Sequence, residues 1–239
     1  MKKIMNRHPE FISGTHKKRL TGTAEQAKKT YQYERLGISL LLSVFFLSGC
    51  SIFPTSEPKT QYTLSAPSPE LKTDHVFESG LLIKTPSADA SLNTAEIAVS
   101  PEQGTRTYIE GALWTDRAPS MLQNLLIQGF ENSNLFPNVG GPGSGIMANL
   151  ILQSQLRDFS VHYEKGLPVA QIDLFVKVLS LKKRQVLVSH HFTKSVPIRQ
   201  NNQISIRDGF QKAVDQMVLE IIQWMVVQNL PQTTKAGQV

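Results

Sequence analysis

Several groups of side chains have the chemistry, and at first sight the spacing, to form a site. His190-His191 is a pair of imidazoles, Asp158 and Glu164 are carboxylates close in sequence, and Val139-Gly140-Gly141-Pro142-Gly143-Ser144-Gly145 is glycine-rich like the loops that cradle phosphates. Each falls short on its own pattern. Neighbouring side chains of a strand point to opposite faces, so His190 and His191 do not converge on one ion. His75 and His162 have no ligand-like neighbour in sequence, and no metal site is expected. The glycine stretch lacks the Gly-Lys-Ser/Thr ending of a P-loop and the glycine spacing of a dinucleotide turn. The residues after it alternate as a strand instead of opening a helix. It reads as a flexible connection. Two carboxylates can flank a glycosidic bond, yet nothing in the sequence brings Asp158 and Glu164 into one cleft. A Gly-x-Ser-x-Gly nucleophile elbow and a His-Glu-x-x-His pair are both missing. The expectation is a protein that is not an enzyme and carries no cofactor.

One reactive group remains. Cys50 is the single cysteine of the 239 residues, which rules out an intramolecular disulfide or a cysteine-rich metal site. It closes an uncharged apolar run, Leu36 to Leu47, through Ser48 and Gly49. That run has the length of a signal-peptide apolar region and is short of the roughly 20 residues that span a bilayer. Lys17, Lys18, Arg19, Lys28, Lys29 and Arg35 precede it, cations that hold an N-terminus at an anionic leaflet while the apolar segment inserts. Leu47-Ser48-Gly49-Cys50 resembles the bacterial lipobox. The resemblance implies cleavage before Cys50, a diacylglyceryl group on its thiol and an acyl chain on its amine. Each buried methylene contributes about 0.8 kcal/mol, so two or three long chains anchor a protein durably. Residue 51 is Ser, not Asp, which by the usual sorting rule favours the outer membrane, with the domain facing the periplasm. The long stretch before the apolar run leaves the true translation start open.

Charge divides at the same place. The net charge is +6, and residues 1–49 hold nine Lys/Arg against three Asp/Glu, which accounts for all of it. Residues 50–239 hold sixteen of each. The pI near 9.4 therefore belongs to the leader, and the main support for a nucleic-acid partner disappears.

The expected organisation is a signal peptide over 1–49, a lipidated cysteine and Ser/Thr/Pro-rich tether over 50–69, a folded domain over 70–230 and a disordered tail over 231–239. Within the tether, Gln61-Tyr62-Thr63-Leu64 alternates and is a candidate first strand. Strand signals follow at Leu81–Lys84, Ala95–Val99 and Arg106–Glu110. Pro119 suits a first helical turn. Met121, Leu122, Leu125, Leu126, Gly129 and Phe130 then recur at helical spacing. Leu150, Leu152, Ser154 and Leu156 alternate in one phase and Phe159, Val161 and Tyr163 in the other, which predicts a bulge near Arg157-Asp158. Ile172–Val178 and Val186–Phe192 form a predicted hairpin around Lys182–Gln185. Ser205 and Asp208 resemble a capping box ahead of a helix carrying Phe210, Val214, Met217, Ile221 and Met225. The predicted class is α+β, a single domain with a mostly antiparallel sheet and two main helices on one face.

Trp114 and Asp116 sit where strand meets helix. Trp114 reads first as a core residue; the alternative is that it and Asp116 contact a partner, since Trp is enriched in such surfaces. The same region carries a family likeness. Tyr62-Thr63-Leu64 after the lipobox, then Tyr108, Trp114, Asp116 and Pro119, then Leu156-Arg157-Asp158-Phe159, then the closing helix from Asp208 to Met225 resemble, in that order, the ABC-type transport auxiliary lipoproteins. Thr115 and Arg117 depart from the pattern. The resemblance implies a non-catalytic lipoprotein of an MCE-type transporter that moves phospholipid or other hydrophobic molecules between the inner and outer membranes. Its partners would be membrane lipid through Cys50 and the MCE-domain protein, with the inner-membrane permease and ATPase indirectly; self-association is left open. A structural or pilotin-like lipoprotein of another envelope assembly is the alternative. A further one is a domain that itself binds lipid in a groove beside the Ser205 helix. Cys50→Ala is expected to abolish palmitate labelling and release the protein from floated membranes; retention of both would refute lipidation.

Overall fold

Leu150, Leu152, Ser154 and Leu156 fall at every second position, the period at which the side chains of a strand share a face. The strand they belong to organises the molecule. The computed structural model describes residues 58–69, 75–102, 104–228 and 230–234. Along them run β1 (Thr60–Tyr62), β2 (His75–Phe77), β3 (Gly80–Ile83), β4 (Ser87–Ala88), β5 (Glu96–Ser100), β6 (Thr107–Trp114), α1 (Ala118–Asn132), β7 (Val139–Gly140), β8 (Ala148–Glu164), β9 (Leu167–Ser180), β10 (Gln185–Pro197), α2 (Gln203–Val227) and β11 (Gln232–Thr234). The expected signal peptide, with Leu47, Ser48, Gly49 and Cys50, lies outside the described residues.

β8, 17 residues long, is the spine. One edge pairs antiparallel with β9, which pairs antiparallel with β10. The other edge takes β3, β4 and β5 in succession, all parallel. β6 lies antiparallel outside β5, β1 parallel outside β6, and β7 parallel beside β3. β11 and β2 form a separate two-stranded piece. The α+β class with two helices holds; the long β8–β9–β10 ladders are antiparallel as expected, and the sheet is mixed because β3, β4 and β5 join β8 in parallel. Apolar alternation reveals which face a strand buries and not which way it runs. β3 to β5 precede α1 and β8 follows it, and a helical return lets the next strand enter in the same direction.

The boundaries shift at both ends. Thr60–Tyr62, inside the expected tether, is a strand of the main sheet, and Leu64 is 6 % exposed. Gln232–Thr234, inside the expected tail, pairs with β2.

A bulge stands where the change of phase predicts it. The register slips between Leu156 and Asp158, so Leu150, Leu152 and Leu156 before it and Phe159 and Val161 after it all enter one core. Both helices cover this face. α1 buries Met121, Leu122, Leu125, Leu126 and Phe130; α2 buries Phe210, Val214, Met217, Ile221 and Met225. α2 begins two residues before the expected Ser205 and is capped differently. The Asn202 side chain accepts from the Ser205 amide at 2.9 Å, which satisfies a first-turn N–H that has no intrahelical partner.

The helices meet at Gly129. A methyl group there would lie 2.5 Å from Val218 Cγ1, closer than packed carbons approach. Gly129→Ala is therefore expected to lower the free energy of unfolding by about 1–2 kcal/mol through overpacking. With Val218 already Ala, the same change should instead raise stability by up to about 1 kcal/mol through helix propensity. Urea titration of the four variants reads the coupling.

Candidate functional site: the tether seam and the open sheet face

Two regions hold the polar and positional features that could serve function. The first is the seam where the segment from Thr60 to Pro67 joins the rest of the domain. Trp114, at the end of β6, is 1 % exposed. Its ring meets Phe159 edge-on at 5.8 Å and Phe210 at 5.3 Å, and those two stack at 4.7 Å. Offset and edge-to-face aromatic pairs of this kind add about 0.5–1.5 kcal/mol each beyond the area they bury. The Trp114 side chain offers a partner no surface and ties sheet to α2. Asp116 is exposed and accepts from the Arg117 amide at 2.6 Å, holding the turn into α1.

The incoming segment is fastened around this tryptophan. The Thr115 amide donates to Tyr62 O at 3.0 Å. Tyr62 Oη donates to Gln203 Oε1 at 2.9 Å, and Gln203 Nε2 donates to Glu110 O at 3.2 Å. Gln211 then clasps Ser65 from both sides: Oε1 accepts from its amide and Nε2 donates to its carbonyl, each at 2.9 Å. Asn132 donates to Pro67 O at 3.1 Å. Carboxamides suit this work because each offers a donor and an acceptor to an edge segment with unpaired backbone groups.

Beside the seam, a groove of about 360 Å³ lies between the end of β10 and the first turns of α2. Arg199, Asp208, Lys212 and Asp215 line it. This is where a lipid groove is expected from the sequence, and its wall is charged, unsuited to an acyl chain. Aromatic and aliphatic side chains fill the space between helices and sheet.

The second region is the face of the sheet away from the helices. The bulge at Arg157 puts Asp158, Ser160 and His162 there together. Asp158 Oδ1 accepts from Ser160 Oγ at 2.6 Å and faces Arg106 Nη2 at 3.5 Å, while Oδ2 binds His162 Nε2 at 2.5 Å. Ser100 Oγ lies 3.2 Å from Ser160 Oγ. The group borders an open cavity of about 680 Å³ that reaches Glu102, Thr105 and Tyr163. The residue types are those of a nucleophile, a base and an acid, but the geometry differs. Ser160 and His162 both bond the same carboxylate, so no imidazole is placed to take the serine proton. What the arrangement does is fasten the turn before β6 to β8 through Arg106.

Sequence reading missed this cluster by treating His162 as unaccompanied. The signal lay in Asp-x-Ser-x-His, three residues that share a face in a strand once the bulge has set the phase. Asp158 and Glu164 share that face too, yet six residues of strand separate them by about 20 Å, too far for a glycosidase pair. Glu164 bonds Ser195 at 3.4 Å. Asp173 stands directly across the ladder from Asp158, and like charges so placed repel. His191 Nε2 at 2.7 Å offsets the second one. His190 turns to the helix face, its ring 4.7 Å from Phe192 and 5.8 Å from Trp224. The glycine stretch continues into β8 with Gly143 and Gly145 at positive φ, and no helix starts at its end.

A family model described as the ABC-type transport auxiliary lipoprotein component matches residues 62–222, from Tyr62 at the seam to Ile222 in α2. The chain belongs to that family. Among solved structures it is similar to a Xanthomonas campestris protein of the DUF330 family, at 25% identity and a TM-score of 0.66, over 70% of this chain and 95% of that one. A second, titled only as an uncharacterized protein, has the same fold at 14% identity and a TM-score of 0.56, over 71% and 99%. Comparison with curated proteins finds no match. The match to the auxiliary lipoproteins takes in Trp114, the seam glutamines and the whole Asp158 cluster.

Asp158→Asn keeps the shape and removes the charge. It is expected to lower the free energy of unfolding by about 1–2 kcal/mol, discounted for the partial exposure of Arg106 and His162. An unchanged urea midpoint would mean that the cluster does not hold the β6 turn.

Proposed function

We propose that this protein is the lipid-anchored accessory component of an MCE-type ABC transport system. It acts at the outer membrane as the docking partner of the MCE-domain protein, and the system moves phospholipid or another hydrophobic molecule between the two membranes. The observation that carries the reading is the family match over residues 62–222. The lipobox resemblance of Leu47-Ser48-Gly49-Cys50, twelve residues ahead of Tyr62, supports it. Among the described residues no helix is long and apolar enough to cross a membrane, in keeping with attachment through Cys50.

The protein performs no catalysis in this reading, takes no cofactor and supplies no energy; it holds. Ten residues separate Cys50 from Thr60, at most about 36 Å of extended chain. Confinement within that radius of a membrane raises the local concentration of the domain at any conduit ending there, so modest contacts suffice for occupancy. The fastening of residues 62–67 to Gln203, Gln211 and Asn132 supports a firm hold on the domain, because the leash meets structured chain almost at once. The packed interior and the charged groove favour a holder over a lipid carrier.

Affinity capture of the native lipoprotein from detergent-solubilised envelopes tests the proposal. The expected result is co-purification of an MCE-domain protein, with its permease and ATPase at lower yield. Recovery of a secretin without any MCE-domain protein would sink it in favour of the pilotin-like alternative.

A further inference from the structure

Neutral as a whole, the mature chain is polar in its charge distribution. Residues 174–207 hold seven Lys/Arg and no Asp or Glu, residues 139–157 hold Arg157 and no acid, and no acid follows Glu220. The fold gathers the relevant parts of these segments at one end of the sheet. Lys182, Lys183 and Arg184 form the tip between β9 and β10, all exposed, and none of them has an ion-pair partner among the described residues. β8 starts at this end, since the Leu181 amide donates to Asn149 O at 2.8 Å. α2 runs toward this end and stops short of the tip, with Trp224 against Phe192 at 5.5 Å. Glu78, just before β3, lies across β8 from the tip, and Glu131 is exposed in the last turn of α1, which leads toward the same end.

Apolar side chains flank the cations. Met147 is 89 % exposed, Leu181 48 % and Val186 49 %. Three unpaired cations framed by open apolar groups have the character of a docking surface, where a solvated turn would leave its apolar neighbours covered.

Strand direction tells where the first described strand begins relative to this end. β1 runs antiparallel to β8, through β6 and β5. β1 therefore begins on the side of the Glu164 end of β8 and away from the tip. By register Thr60 is level with Phe159 and Ile172, and ten strand residues from Ile172 to Lys182 add about 33 Å in the opposite direction. We infer that the Lys182-Lys183-Arg184 tip, with Leu181, Val186 and Met147, is a docking surface for an acidic face of a partner protein, at the end of the sheet remote from Thr60. This rests on the function proposed above, in which that partner is the MCE-domain protein.

The test uses the full-length lipoprotein in its own envelope, carrying K182E, K183E and R184E together. A control carries R199E and K212E in the groove by α2. Capture of the MCE-domain protein is quantified by mass spectrometry against palmitate-labelled bait. The tip variant is expected to lose about tenfold or more of the capture while its melting temperature stays within about 2 °C of the native one, because exposed turn charges contribute little to stability. The groove variant should retain capture. Capture by the native protein should also fall as salt rises from about 50 to about 500 mM. Full capture by the tip variant, or equal loss in both variants, would overturn the inference and leave the proposed function standing. If the native protein captures no MCE-domain protein, the proposed function fails and the inference with it. A second arm floats full-length Cys50→Ala protein with phosphatidylglycerol vesicles. Flotation that depends on the three cations would assign the tip to lipid and refute a protein partner; absence of flotation supports one.

Discussion

One extra residue in β8 sets the phase of everything around it. Before Arg157 the even-numbered residues face the helices, and after it the odd-numbered ones do. Without that slip Phe159 would point to the open face and Asp158 into the core, an ionised carboxylate among leucines at a cost of several kcal/mol. With it, Phe159 closes on Trp114 and Phe210, and Asp158 meets Arg106, Ser160 and His162 on the other side. Arg157, the residue added, lies with its guanidinium 4.8 Å over the Phe175 ring. The helix-side core and the open-face polar cluster are thus two consequences of the same insertion.

This also explains what could be read in advance. Period-2 runs and a change of phase are local properties, so the bulge, the β9–β10 turn and the apolar stripes of both helices were legible from residue types alone. Strand direction is different. Whether β3 and β5 run with or against β8 depends on how the chain returns between them, and Leu81–Ile83 would alternate identically in either case. Trp114 was legible as a residue between strand and helix but its surroundings were not, because Phe159 and Phe210 lie 45 and 96 positions further along.

The seam shows the reverse error, in which composition misleads. Ser, Thr and Pro between 51 and 69 predict a loose linker, and such residues bury little apolar area of their own. Here the domain supplies the missing partners. Gln203 and Gln211 project from the first turns of α2 and satisfy backbone and tyrosine groups that a free linker would leave to water, and Leu64 finds the core. Side chains on an element 140 residues away decide the order of this stretch, and no window of local sequence contains them. The same fact bears on Asn202: its carboxamide caps α2 and so helps aim the helix whose glutamines receive the incoming chain.

A neutral total can conceal a directed charge. Residues 50–239 hold sixteen cations and sixteen anions, yet Lys182, Lys183 and Arg184 stand together at the β9–β10 tip with no ion-pair partner among the described residues. For a freely diffusing protein such polarity matters only at encounter. In the function proposed above the protein is held near a membrane, and exposed cations then act at higher local concentration on whatever partner meets them there. Electrostatic attraction acts mainly on the rate and register of association. A charged and partly apolar tip of this kind asks nothing of the interior, which is packed solid between helices and sheet.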